Sequence, residues 1–212
     1  MTGTQLSSIL GLRLEDSAES VFTEAMKVDA INVAQRTVVS MVNNAYLSEL
    51  EEILEGQAIA STGVTFATAG IDPIRGGLIA VYDSTHSKFC TKLEGGHLFA
   101  LNNNTYLNGT ENNPIYWVFN ENIWVRPSSC TLINIWYLKA PTNYIAGAIT
   151  GQCELDPALQ DIVLDFAEAQ LWRMDAKPEK GAAAYTNALN TIKTLNDRYI
   201  TDKAQAIDQA GR

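Results

Sequence analysis

The spacing of apolar residues changes twice along this chain, and that constrains the fold more than any motif in it. Up to about Glu55, and again from about Asp156, apolar residues recur at helical intervals; between about Gln57 and Thr142 they come in short runs broken by turn residues. That order predicts an α+β protein. A helical domain made of 1–56 and 143–212, with a C-terminal tail, would be interrupted by an inserted β-rich domain, 57–142. The expected arrangement is an antiparallel helical bundle carrying a small antiparallel sheet or barrel of about five to seven strands. For the helical part to stay one body, the ends of the insertion must lie close together.

In the first helical segment, about 17–55, Asp16 and Ser17 offer N-caps and Glu19 and Ser20 give a polar first turn. Val21, Phe22, Ala25 and Met26 share one face, and Asp29 is a second possible cap. Ile31, Ala34, Val38, Met41, Val42 and Ala45 continue the spacing, followed by Leu50, Ile53 and Leu54, with Gly56 as a stop. The spacing leaves open whether this is one helix or two jointed near Lys27–Asp29. Val33 and Val39 widen the apolar stripe, which implies more than one packing neighbour. The last segment opens on Asp156-Pro157, a cap followed by proline at the first helical position. Leu159, Ile162, Val163, Phe166 and Ala169 then mark a helix to about Met174. Lys177-Pro178 restarts it, and Tyr185, Leu189, Ile192, Leu195 and Tyr199 carry the second stripe. From Thr201 to Arg212 the chain is polar and alanine-rich; it adds little core, so it is frayed or meant for a partner.

Within the β-rich segment the expected strands are 64–67, 78–82, 98–101, 115–119, 122–125 and 131–138. Turn residues separate them: Asp72-Pro73, Gly76-Gly77, Gly95-Gly96, the asparagines at 102–104, Asn108-Gly109 and 120–122. Asn108-Gly109 suits a type I′ turn, because both residues tolerate positive φ.

Chemistry is harder to find. His86, Cys90, His97 and Cys130 could supply two nitrogen and two sulfur ligands, but their spacing matches no compact zinc motif, and no metal or other cofactor is expected. No Gly-x-Ser-x-Gly elbow, phosphate-binding glycine loop or cysteine-nucleophile signature is present, and acidic residues such as Glu51, Glu52 and Glu55 read as a solvated face. No catalytic residue is assigned, so the expectation is a non-enzyme. Cys90, Cys130 and Cys153 form no CxxC pair and are odd in number, which argues against a disulfide framework. No signal peptide or membrane span is read, and Asn103-Asn-Thr105 and Asn108-Gly-Thr110 are taken as loop composition. A net charge of −9 disfavours tight binding to nucleic acid, yet would suit a wall that DNA slides past without sticking. Tyr116, Trp117, Phe119, Trp124, Trp136, Tyr137 and Tyr144 crowd the end of the β segment; they fill a small core, face a neighbouring subunit, or form a stacking platform.

One stretch carries a resemblance. Ile123-Trp-Val-Arg-Pro127, then Ser128-Ser-Cys-Thr-Leu-Ile-Asn-Ile-Trp-Tyr137, then Leu138-Lys-Ala-Pro141-Thr142 resembles an element of tailed-bacteriophage neck proteins: a strand ending in proline, a polar turn, and a strand closed by Tyr-x-x-x-Pro. With the flanking helices, including Glu168-Ala-Gln-Leu-Trp172, the pattern resembles head–tail connectors, in particular the tail adaptor that joins the portal to the tail of short-tailed phages. The resemblance covers most of the chain by architecture and rests on few residues. It implies a structural virion protein of the neck, assembled in the host cytoplasm: a ring of twelve copies that binds the portal protein and a downstream tail or nozzle protein. Double-stranded DNA would pass through without specific binding, and no membrane is involved. It further implies portal docking through Tyr199, Thr201, Asp202, Lys203, Ala206, Ile207 and Arg212. Trp117, Trp124, Trp136 and Tyr137 are the candidates for a subunit or tail interface. The competing readings are another tail or head-completion component, and a carbohydrate-binding module.

Overall fold

The structure, a computed structural model, describes residues 1–60, 63–93 and 109–210; at 68, 75–77 and 201–210 it describes the backbone. In chain order the elements are α1 (Gly3–Arg13), α2 (Glu24–Met41), β1 (Glu51–Ala58), β2 (Val64–Thr65), α3 (Phe66–Ala69), β3 (Pro73–Asp83), β4 (Lys88–Phe89), β5 (Thr91–Lys92), β6 (Ile115–Phe119), β7 (Asn122–Arg126), β8 (Leu132–Lys139), α4 (Pro157–Met174) and α5 (Pro178–Ala210). The protein is α+β, and it divides into a helical unit, Met1–Leu50 with Pro141–Arg212, and a β unit, Glu51–Ala140.

The helical unit departs from the expected helix over 17–55 at both ends. α1 lies before it, opened by a capping box: the Thr2 hydroxyl accepts from the Gln5 N–H at 3.2 Å, and the Gln5 side chain accepts from the Thr2 N–H at 2.8 Å. Asp16 and Ser17 do not cap a helix. Asp16 instead organises the loop before α2, accepting from the Ser20 hydroxyl and the N–H groups of Ser20, Val21 and Phe22. The cap of α2 is Thr23, whose hydroxyl accepts from the Met26 N–H. Val28, Ile31, Ala34 and Val38 form its buried stripe. α2 stops at Met41, where Val42 turns extended, and Leu50, Ile53 and Leu54 do not continue it. The chain runs instead through two short 3-10 turns, Asn44–Tyr46 and Ser48–Leu50, into β1.

These hydrogen bonds give Asp16 a defined acid response. The Ser20 hydroxyl, then the Phe22 N–H, hold its carboxyl well below the usual range against the opposing effect of burial. A folded-state value below the unfolded one stabilises the fold above about pH 4, and the contribution is lost as pH falls through the folded value. Urea unfolding across the acid range should therefore give a shallower loss of stability for Asp16→Asn than for the parent chain. Parallel curves would remove this assignment.

α4 starts as the sequence predicts, with the Asp156 carboxylate accepting from the Ala158 N–H at 2.7 Å. α4 packs on both α2 and α5, and α1 packs on α2 and α4. Gly181 lets α5 approach α4 closely, since a Cβ there would sit 2.8 Å from Ala169 Cα. Arg13 reaches from the end of α1 to Asp165 on α4 at 2.6 Å, and Asn187 on α5 donates to the other oxygen of the same carboxylate. Asn32 on α2 clasps the backbone N–H and C=O of Tyr144, tying down the loop that precedes α4. At its far side α5 is tied to the end of α2. Asn196 accepts from the Asn43 N–H and donates to the Met41 carbonyl, while the Tyr46 hydroxyl donates to the Leu195 carbonyl. Beyond that tie the segment from Thr201 to Ala210, expected to be frayed or reserved for a partner, continues α5 as helix. The whole helix is about 50 Å long at 1.5 Å per residue.

The β unit begins six residues before the predicted boundary at Gln57. Its strands form two sheets among the described residues, ordered β1-β8-β3-β4 and β2-β7-β6-β5. Pairing is antiparallel except between β5 and β6, which run parallel, so the expected all-antiparallel module is mixed. Gly56 is no helix stop: it lies in β1 at positive φ, where the register against β8 shifts. Gly76-Gly77, expected as a turn, falls inside β3 at another irregularity, and the run 64–67 is a two-residue strand followed by the short helix α3. The hairpin with both central residues at positive φ is Asn120-Glu121, between β6 and β7. Asn108 and the strand expected at 98–101 lie outside the described residues, as do Gly95-Gly96 and the asparagines at 102–104. One core joins the two sheets: Val81, Ile133, Ile135 and Tyr137 from the first meet Val64, Tyr116, Ile123 and Val125 from the second.

Candidate functional site

The chemistry-bearing side chains of the β unit gather around Asp83, which is completely buried at the end of β3. Its carboxylate accepts from the Thr85 and His86 N–H groups and lies 2.6 Å from His86 Nδ1. Burial pushes that carboxyl upward, but the hydrogen bonds of His86 and Cys130 outweigh it and hold the group below its ordinary value. The same carboxylate acts against the two thiols. Burial, then the Asp83 charge, pushes Cys90 up to about 12, and burial with the Asp83 hydrogen bond raises Cys130 further. Both shifts favour the protonated thiol at neutral pH. The second imidazole nitrogen of His86 lies 3.6 Å from a Glu111 oxygen. His97 lies outside the described residues. Among the described residues no group of three or more His, Cys, Asp or Glu side chains is placed to hold a metal ion. The buried carboxylate is thus satisfied by hydrogen bonds at the end of β3, between β8 and β4.

The aromatic residues are divided by strand alternation between the core and two outward faces. Tyr137, expected at a subunit or tail interface, points inward at 3% exposure, because it alternates with Trp136 and joins the shared core. Trp136 lies on the outward face of the first sheet, opposite Ile53 of β1 and Ala80 of β3. Tyr82 and Leu132 share that face, and Phe89 of β4, 68% exposed, meets Tyr82 edge to face at 5.1 Å. On the second sheet, Trp117 and Trp124 stand directly opposite one another and stack with ring centres 6.3 Å apart and planes 7° from parallel. Phe119, 63% exposed, and the exposed Arg126 share their face. Beside the two indoles opens a cavity of about 390 Å³, lined by Ile59, Ala60, Trp117, Trp124, Arg126 and Ser128, among others. The Trp124 indole N–H is buried at its wall and meets no acceptor among the described residues. A donor held dry without a partner costs about 1–3 kcal/mol.

No protein-family model matches the chain, and no curated protein matches it. The site is thus read from its own geometry.

The helical unit carries the other predicted residues. Tyr199 is half-buried on α5, and Ile200 beside it is largely exposed. Thr201, Asp202, Lys203, Ala206 and Ile207 lie on the last helical turns, while Arg212 lies outside the described residues. Between α2, α4 and α5 a shallow groove of about 360 Å³ is lined by Val33, Thr37, Phe166, Arg173 and Tyr185, among others. No described helix is long and apolar enough to cross a membrane.

Sequence reading selected the three outward tryptophans but missed Ile53, Tyr82, Phe89 and Arg126 as their companions. Alternation along β8 would have found half of that face. Ile53 escaped because its neighbourhood read equally well as a helix end.

Proposed function

We propose that this chain is a structural virion protein, an adaptor whose ring connects the portal vertex of a capsid to the tail and lines the DNA channel. The observation that carries the reading is the pairing of an α+β architecture with two outward aromatic faces. In this reading the helices form an antiparallel bundle, twelve copies stand side by side, and the last turns of α5 dock on the portal protein. The β unit faces the next tail or nozzle protein. The acidic surface keeps double-stranded DNA from adhering as it passes. The chain is then no enzyme, needs no cofactor, and belongs to the neck of the virion after assembly in the host cytoplasm. Another tail or head-completion role would use the same faces.

One observation favours a second reading. Stacked indoles beside a cavity with an unpaired N–H and a nearby guanidinium would also suit a sugar ring, as in a carbohydrate-binding module. Mass photometry of the purified chain, alone and with portal protein, separates the two. Discrete rings, or addition to the portal in a fixed number, are expected. A strict monomer that ignores the portal and binds glycans through Trp124 would replace the adaptor with the sugar binder.

A further inference from the structure

The β unit carries two outward faces that differ from each other, and the difference has a pattern. On the first sheet, Ile53, Trp136, Leu132, Tyr82 and Phe89 put apolar side chains on one face across all four strands, around the amide of Asn134, with Ile53 55% and Phe89 68% exposed. Its β1 border is acidic: Glu51 and Glu55 are exposed and alternate onto the same side as Ile53. On the second sheet, Trp117, Trp124 and Phe119 make the apolar surface, and its border is a cation, the exposed Arg126.

We infer that the first-sheet face of one copy docks on the second-sheet face of the next copy of this chain. Apolar surface meets apolar surface, and a β1 carboxylate meets the Arg126 guanidinium, which offers both charge and hydrogen bonds. Because the two faces are unlike and lie on different sheets, the contact is head-to-tail. Each copy uses one face on each side, which generates a ring or a filament and never a closed two-fold dimer. The inference rests on the ring reading and names the surfaces that build it.

The test uses the full chain and two variants that each spoil one face, Trp136→Ala for the first sheet and Trp117→Ala for the second, with folding checked by circular dichroism. The parent chain is expected to form multi-subunit species in sedimentation velocity, and each variant alone to lose them. An equal mixture of the two should form dimers and nothing larger, since only one pairing of intact faces remains. Arg126→Glu should also lose assembly, and adding Glu51→Lys and Glu55→Lys to it should restore it; this pair leaves the aromatic packing untouched. Parent-like assembly in both tryptophan variants would overturn the inference and leave an adaptor ring held by the helical unit. A mixture that stays monomeric would overturn the head-to-tail pairing. A parent chain that is monomeric alone would overturn self-docking. The adaptor reading survives that result if the chain still adds to the portal, and falls with it if the chain instead binds glycans.

Discussion

Trp172→Ala is expected to destabilise the helical unit by about 4 kcal/mol, the range for removing a large aromatic from a packed site. Its ring is nearly buried near the end of α4 and meets Phe22 edge to face at 5.6 Å, which fastens the loop before α2 onto α4. Lys180 sits over the ring at 4.5 Å, so the start of α5 uses the same surface. Gly181 brings the α5 backbone down beside it, where even a methyl group would crowd Trp172 Cβ at 3.2 Å. Truncation therefore opens a cavity under three segments at once, and none of them can collapse without moving the others. Urea unfolding followed by helical circular dichroism measures it directly. Trp172→Phe, which keeps an edge for Phe22, should lose less than half as much. If the alanine variant unfolded at the parent midpoint, the joint role assigned to this residue would be wrong.

Asp165→Ala should be the next largest loss, about 3 kcal/mol, because it strands two donors at once. Arg13 at 2.6 Å and Asn187 at 2.5 Å bring α1 and α5 to this one carboxylate on α4. Glu168 lies 3.8 Å from the same Arg13 guanidinium nitrogen and would partly replace the lost charge. Arg13 is about a third exposed, so water supplies some compensation, which keeps the figure at the lower end for a buried pair. Combining Asp165→Leu with Arg13→Met removes the charges together and should recover much of the stability. A double variant no better than Asp165→Ala would mean that the helices are held by packing there and that the ion pair adds little.

What could be read in the sequence depended on how local the deciding forces were. α4 was legible because Asp156-Pro157 sets its start within two residues, and the helix restart at Lys177-Pro178 was legible for the same reason. β6, β7 and β8 were legible because β-branched and aromatic residues leave few alternatives over five to eight residues. β1 was not. Its glutamates favour helix, its apolar residues sit at spacings that fit either structure, and only pairing with β8, some eighty residues away, makes it a strand. α1 escaped because its buried apolar stripe is only Leu6 and Leu10, although Thr2 and Gln5 carry the capping-box pattern. The aromatic faces were half-legible: composition pointed to them, but Tyr137 and Trp136 are neighbours in sequence and opposites in space, and strand parity alone separates them. Asp16 gave no sign of its loop role, since four donors converge on it only after the chain has turned.

The pairing of Glu51 with Leu138 bears on the order of events in time. α2 and α4 come from opposite sides of a long insertion, and bringing its open ends together costs about 4 kcal/mol of chain entropy for a loop of that length. Once β1 has zipped onto β8 that loop is already shut, and the helices search a short tether in place of a long one. Formation of the β1–β8 pairing first is therefore expected to speed the docking of α2 on α4, a contact far apart in sequence.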